Sequence, residues 1–444
     1  MKCQFYKIFM LVFLLLLGAD LSLAQSDPRF IPFSPNPVKG ALYSPDSGEA
    51  PQVAILAIHR TSNYMAYLGC RELASRGYLV LCMNPRSDNN EAIVNWEKNA
   101  LDIKSGMEFL RAQPGIDTVL LWGWSGGGGA TSFYQAVAEQ GISYSQGDNK
   151  LVECGPELEG LPPADGLILV DTNLGIAAGA LSRINPSVVN DAEIFASNAA
   201  PVIDASLDPF NPENGYNPNG ASSYSDAFKS RYFSAQARRM NELVDIAQGM
   251  LASIEQGAGV YSDDAPFIIV KGASAELMKL DPGIHHATLK TQKFLANDGS
   301  VVRRIVESVR LPEPELAEQD SSLADGALFL TVRSFLGANA MRANDSMQDI
   351  DYCSSNNSTR CAVQQISVPL LISAMQANRY LQYNEQHFEQ AKSEDKDFII
   401  IEGALHGQVP CVPCESYPGQ YSNVTRNFFD YVSEWIDERY QTSL

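Results

Sequence analysis

The residues able to carry a reaction are few, and the chemistry starts at one serine. Gly123-Trp124-Ser125-Gly126-Gly127 follows an apolar run, Thr118 to Trp122, and leads into Gly128-Gly129-Ala130, where a helix can begin. This is G-x-S-x-G set between a buried strand and a helix. Glycines on both flanks permit a turn sharp enough to lift a serine hydroxyl above a sheet, with the Gly126 N–H left at a helix N-terminus. A glycine-rich phosphate loop would end in Gly-Lys-Ser/Thr, and this one does not. Ser125 is therefore the candidate nucleophile. It needs a base, and the chain holds five histidines: His59, His285, His286, His387 and His406. His406 lies in Glu402-Gly403-Ala404-Leu405-His406-Gly407, after an apolar run and before the last helical stretch. Adjacent His285 and His286 diverge and have no carboxylate–histidine spacing, so they read as surface. His387 reads as an exposed helix position and His59 as a residue that orders its own loop.

The elements that must position these groups alternate. Val53 to Ile58, Tyr78 to Met83, Thr118 to Trp122 and Gly166 to Asp171 are apolar runs of strand length. Helical spacing fills the gaps over 64–76, 91–112 and 126–140. Strand–helix–strand repeats imply right-handed crossovers and a parallel sheet. From Thr172 to about Gln365 the pattern breaks, with helical stretches only at Ser225 to Gln256 and Leu323 to Phe335. It resumes with a strand at Val368 to Met375, a helix from Glu385, a strand at Phe398 to Glu402 and an amphipathic helix at Asn423 to Tyr440. The sequence thus divides into a core at 25–171 and 366–444 and an insertion at 172–365, too long to be a mere loop.

With the elbow and these elements in place, the chain resembles the α/β-hydrolase superfamily over roughly Val53 to Asp171 and Val368 to Tyr440. It also looks like a branch of bacterial secreted hydrolases. The stretches behind that are Gly123 to Ala130, Leu207-Asp208-Pro209-Phe210-Asn211-Pro212, and Gly403 to Gly407 followed by Cys411-Val412-Pro413-Cys414. The resemblance implies an α/β fold, a mostly parallel sheet flanked by helices, with a large cap inserted between the sixth and seventh strands. It implies His406 as base and a Ser-then-His order.

The resemblance also places an acid in the turn after the strand ending at Met375, where this chain has Gln376-Ala377-Asn378-Arg379-Tyr380. An asparagine can hold an imidazole but cannot balance imidazolium charge. Glu385, further along that turn, and Asp171, at the end of Leu167 to Val170, are the two substitutes, with Glu385 placed ahead. The oxyanion donors implied are the N–H of Gly126 and that of Arg60 or Thr61, since the loop reads His59-Arg60 where the family commonly has His-Gly.

Composition closes off other classes. The 444 residues carry 32 basic and 52 acidic side chains, a net charge of −20, so a polyphosphate partner is repelled at long range and nucleic-acid binding is excluded. Lys2 and Lys7 precede an apolar run from Ile8 to Leu17, with Ser22-Leu23-Ala24 after it. That reads as a signal peptide, 1–24, cleaved to leave Gln25 first, and so as a secreted or periplasmic protein without a membrane span. Of the seven cysteines left, Cys353 with Cys361 and Cys411 with Cys414 are expected to pair, and Cys82 to stay free. No metal or cofactor is expected.

Three functions follow in order: hydrolysis of a small-molecule carboxylic ester through an acyl-enzyme, acyl transfer to an alcohol on the same fold, or binding without catalysis. Aromatics in the insertion, such as Phe210, Tyr224, Phe228 and Tyr261, fit an apolar acyl pocket or equally a small core.

Overall fold

A computed structural model describes residues 27–34, 37–45 and 50–441. The leader expected at 1–24 lies outside them. Fourteen strands occur in the described residues: β1 (Arg29–Phe33), β2 (Val38–Tyr43), β3 (Val53–Ile58), β4 (Leu79–Asn84), β5 (Thr118–Trp124), β6 (Gly166–Val170), β7 (Pro266–Ile269), β8 (Gln292–Leu295), β9 (Val301–Arg304), β10 (Leu328–Thr331), β11 (Arg342–Ala343), β12 (Ile350–Asp351), β13 (Leu370–Met375) and β14 (Lys396–Ile401). Ten of them form one sheet in the order β1-β2-β4-β3-β5-β6-β13-β14-β8-β9. From β4 to β8 neighbouring strands are parallel; β1, β2 and β9 run antiparallel at the two edges.

The apolar runs are buried on both faces because alternate residues point to opposite sides. Ala54, Leu56 and Ile58 of β3 join one core with the helices Trp96–Arg111 and Gly127–Gln140. Val53, Ile55 and Ala57 join the other, covered by Leu68–Ala74 and Val424–Tyr440. There Trp122 stacks on Phe429 with ring centroids 6.0 Å apart, which pins the last helix under the elbow strand.

The insertion builds its own core around the helix Asp226–Glu255, opened by Ser225, whose hydroxyl accepts from Phe228 N–H. Tyr224, Phe228 and Tyr232 are buried in that core, and Tyr261 is exposed, so these aromatics line no acyl pocket.

Three sequence expectations change. The hairpin β8–β9, from the segment read wholly as cap, extends the main sheet beyond β14. Leu323 to Phe335 holds β10, which pairs antiparallel with β7, because a long-range ladder outweighs local helical spacing. Cys82 is bonded to Cys70, since the helix Leu68–Ala74 packs directly over β4. Cys353–Cys361 and Cys411–Cys414 are bonded, and among the described residues Cys154 is the free thiol.

Candidate active site

β5 ends at Trp124, and Ser125 follows with a positive φ of 55°. A non-glycine residue there is strained, and the strain is held by packing: a Cβ on Gly127 would lie 2.4 Å from the carbonyl oxygen of Ile58. The chain can turn this tightly only with glycine beside β3. Ser125 N–H donates to Val170 O of β6 at 3.1 Å, fixing the elbow against the strand that carries the acid candidate.

His406 sits on the short loop after β14. That loop is closed at its base by Cys411 N–H donating to Gly403 O at 2.8 Å, beside the Cys411–Cys414 bond. Trp124 Nε1–H donates to His406 O at 2.8 Å, and the indole lies against the imidazole with centroids 5.1 Å apart. The residue before the serine thus carries the histidine. Tyr380 meets the same ring edge-on.

Of the two acid candidates, the fold brings Asp171 to His406 and keeps Glu385 away from it. The Asp171 side chain is 0% exposed, and His406 Nδ1 lies 2.7 Å from Asp171 Oδ2. Asn378, at the position where the resemblance expects an acid, donates its amide to the same oxygen at 2.5 Å, and Met375 N–H donates to Oδ1 at 3.2 Å. Asp171 itself has φ 45°, so a kink at the end of β6 aims the carboxylate sideways under the histidine. Glu385 is buried elsewhere. It accepts from Leu289 N–H at 2.7 Å, Lys290 N–H at 2.8 Å and Gln292 Nε2 at 2.9 Å, at the start of β8, which leaves it no role at the imidazole.

The elbow after β5, tied by Ser125 N–H to Val170 O, and the Asp171–His406 pair lie at the carboxyl ends of the strands, in the chain order Ser125, Asp171, His406. The chain has the α/β-hydrolase fold. No protein-family model and no curated protein matches it. Among solved structures it is similar to an alpha/beta hydrolase from Penicillium sp. sh18, at 12% identity over 91% of this chain and 95% of that one, with a TM-score of 0.42. It is similar also to Est1E from Butyrivibrio proteoclasticus (10% identity, 94% and 100% covered, TM-score 0.38). A third likeness is to a proline iminopeptidase from Mycobacterium smegmatis (10% identity, 93% and 98% covered, TM-score 0.39).

Around the elbow of this α/β-hydrolase fold, the loop after β3 differs from the expected donor arrangement. Thr61 N–H (3.1 Å) and Ser62 N–H (2.8 Å) both donate to His59 Nδ1. Thr61 is therefore committed, leaving Arg60 of the two backbone donors named from sequence. With Nδ1 accepting, the proton of His59 sits on Nε2. Burial first, then the charges of Arg60 and His406, push the ring's pKa well below its usual value, so it stays neutral. Nε2 stands over Gly126, 2.7 Å from where a Cβ would lie, which points the Nε2–H at the space above the helix N-terminus. Sequence reasoning missed this direction because only the folded loop shows which ring nitrogen is occupied.

A cavity of about 280 Å³ opens over Ser125, Gly126, His59 and Arg60, and its far wall comes from the helix Ile176–Arg183 and the turn after β13. His285 is half-buried against Tyr383, and His286 is exposed. His387 is fully buried, against expectation: its helix packs beneath the site, and its ring Nε2 lies 3.1 Å from Asn173 O.

Proposed function

We propose that the chain is an exported serine hydrolase that cleaves a carboxylic ester through an acyl-enzyme. The observation that carries this is the 2.7 Å contact of His406 Nδ1 with the buried Asp171, on a loop bonded through Trp124 to the elbow that holds Ser125 at positive φ. Asp171 fixes Nδ1 as the protonated nitrogen, so Nε2 of His406 is free to act as base. Ser125 Oγ attacks the ester carbonyl while His406 takes its proton. The carbonyl oxygen becomes an oxyanion beside Gly126 N–H, Arg60 N–H and His59 Nε2–H. Collapse breaks the ester C–O bond, and the alcohol leaves with the proton from His406. Water then repeats the sequence on the acyl-serine. The leader read at 1–24 and three bonded cysteine pairs support export to an oxidising space.

The test is labelling of the purified protein with a fluorophosphonate, which should modify Ser125 once. Labelling that survives Ser125→Ala removes the assignment, and acyl release that rises on addition of an alcohol acceptor moves the reading to a transferase.

A further inference from the structure

The cavity above Ser125 is basic, in a chain that carries a net charge of −20. Three guanidinium groups line it, from Arg60, Arg183 and Arg379, against one lining carboxylate, Glu276. Arg379 Nε is bound to Glu276 Oε1 at 2.7 Å, and its Nη2 donates to Tyr380 OH, so that charge is matched. Arg60 is 6% exposed and lies beside Glu91, whose carboxylate also accepts from Thr61 Oγ1. Nη1 is ion-paired with Glu91, whereas Nε has no hydrogen-bond partner among the described residues. Nε points toward Gly126, 3.2 Å from where a Cβ would stand there. A buried donor left unmade is costly, so an unfilled guanidinium edge beside the nucleophile marks a place for an acceptor.

Arg183 completes the arrangement. Its Nε donates to Gly179 O at 3.0 Å, which fixes the side chain back along its own helix. No carboxylate among the described residues lies within ion-pair reach of its guanidinium. Arg60 and Arg183 are near enough for their charges to oppose one another. Burial pulls the Arg60 pKa down to about 10, against the attraction of Glu91 and with a smaller push from Arg183. Arg60 has Glu91 as its counter-charge and Arg183 has none among the described residues, so an anion entering beside Arg183 would match a charge that is otherwise uncompensated. The remaining wall, Leu174, Ile176 and Ala178, is apolar and suits a short hydrocarbon link.

We propose that the ester taken by this site carries a carboxylate of its own, seated between Arg60 and Arg183, on either its acyl or its alcohol side. This rests on the serine-hydrolase reading above. The planar fork of a guanidinium matches a carboxylate, and the apolar wall of the cavity suits the short link that joins it to the ester.

The test compares isosteric pairs: methyl hydrogen glutarate against methyl 5-methylhexanoate, with the charge on the acyl side, and acetoxyacetate against isobutyl acetate, with the charge on the alcohol side. Wild-type protein should prefer the charged member of one pair. In Arg183→Gln the charged-to-neutral ratio of kcat/KM should fall ~10- to 100-fold, the usual loss for a hydrogen bond to a charged group, while Arg183→Lys keeps part of it. Esters cleaved without preference for charge, or a ratio unmoved in Arg183→Gln, overturn the carboxylate site and leave ester hydrolysis standing. If no ester is cleaved and Ser125 resists the fluorophosphonate, the hydrolase reading fails instead. Calorimetry with glutarate then decides the site by itself: binding to wild type that is lost in Arg183→Gln upholds it, and no binding overturns it.

Discussion

Two turns lie side by side at the carboxyl ends of β6 and β13, and they divide the labour of one buried corner. The first, Asp171-Thr172-Asn173, supplies the carboxylate at the imidazole. The second, Gln376 to Tyr380 with its helix Leu381–Gln390, supplies the groups that hold the first in place. Asn378 donates to Asp171; Asn384 accepts from Thr172 N–H at 3.1 Å and donates to Thr172 O; the His387 ring reaches Asn173 O. Glu385 sits one residue after Asn384, equally buried, and its carboxylate binds the strand β8. Two carboxylates in the same depth of protein thus differ by their donors alone. Both accept from backbone and a neutral amide, and Asp171 alone also meets an imidazole, that of His406. What sets Asp171 apart is the imidazole it faces, since Glu385 is as deeply buried.

The comparison breaks most sharply at Asp171→Asn. Turnover of an ester should fall ~10⁴-fold, the scale set by the equivalent change in a serine protease, with fluorophosphonate labelling slowed in parallel. Activity near wild type would return the acid role to an unrecognised group.

A second cut removes the ring donor over Gly126. His59→Asn keeps an oxygen for Thr61 N–H and Ser62 N–H and deletes Nε2–H. The expected loss is ~100-fold in kcat with KM little changed, as for one oxyanion donor elsewhere. Steady-state kinetics that show a KM effect alone would make His59 a loop residue only.

Glu385→Gln sharpens the contrast from the other side. It should lower stability by ~1–3 kcal/mol, since three donors lose a charged acceptor, and leave kcat within ~3-fold, far short of the loss at an oxyanion donor. Denaturant melts beside ester kinetics check it; a collapse of kcat in folded protein would restore Glu385 as the acid.

The smallest effect at neutral pH belongs to His387. Its burial holds the pKa down at about 3, below the ordinary histidine value. The unfolded chain therefore binds a proton that the folded chain refuses, and stability is complete above about pH 6.5 and falls as pH drops toward about 3. His387→Gln should flatten that limb of the melting temperature against pH. A limb of unchanged slope would place the acid sensitivity elsewhere, His59 being the next buried neutral ring.

Much of this molecule is determined by local chemistry that a sequence displays. The apolar runs of β3 to β6, the glycine-flanked Ser125 and the loop of His406 are each a property of a few adjacent residues, because a strand buried on both faces or a sharp turn needs those residue types wherever it occurs. The capped helix Asp226–Glu255 is of the same kind. What tertiary structure decided are relations across the chain. Asp171 meets His406 over 235 positions, Cys70 closes on Cys82 because a helix lies over its strand, and β8 leaves the insertion to join the sheet. The tautomer of His59 and the unmatched charge of Arg183 are of this kind too. Each depends on which donor or charge arrives from a distant segment, and a side chain's role follows its partner's position, which its own neighbours in sequence do not encode.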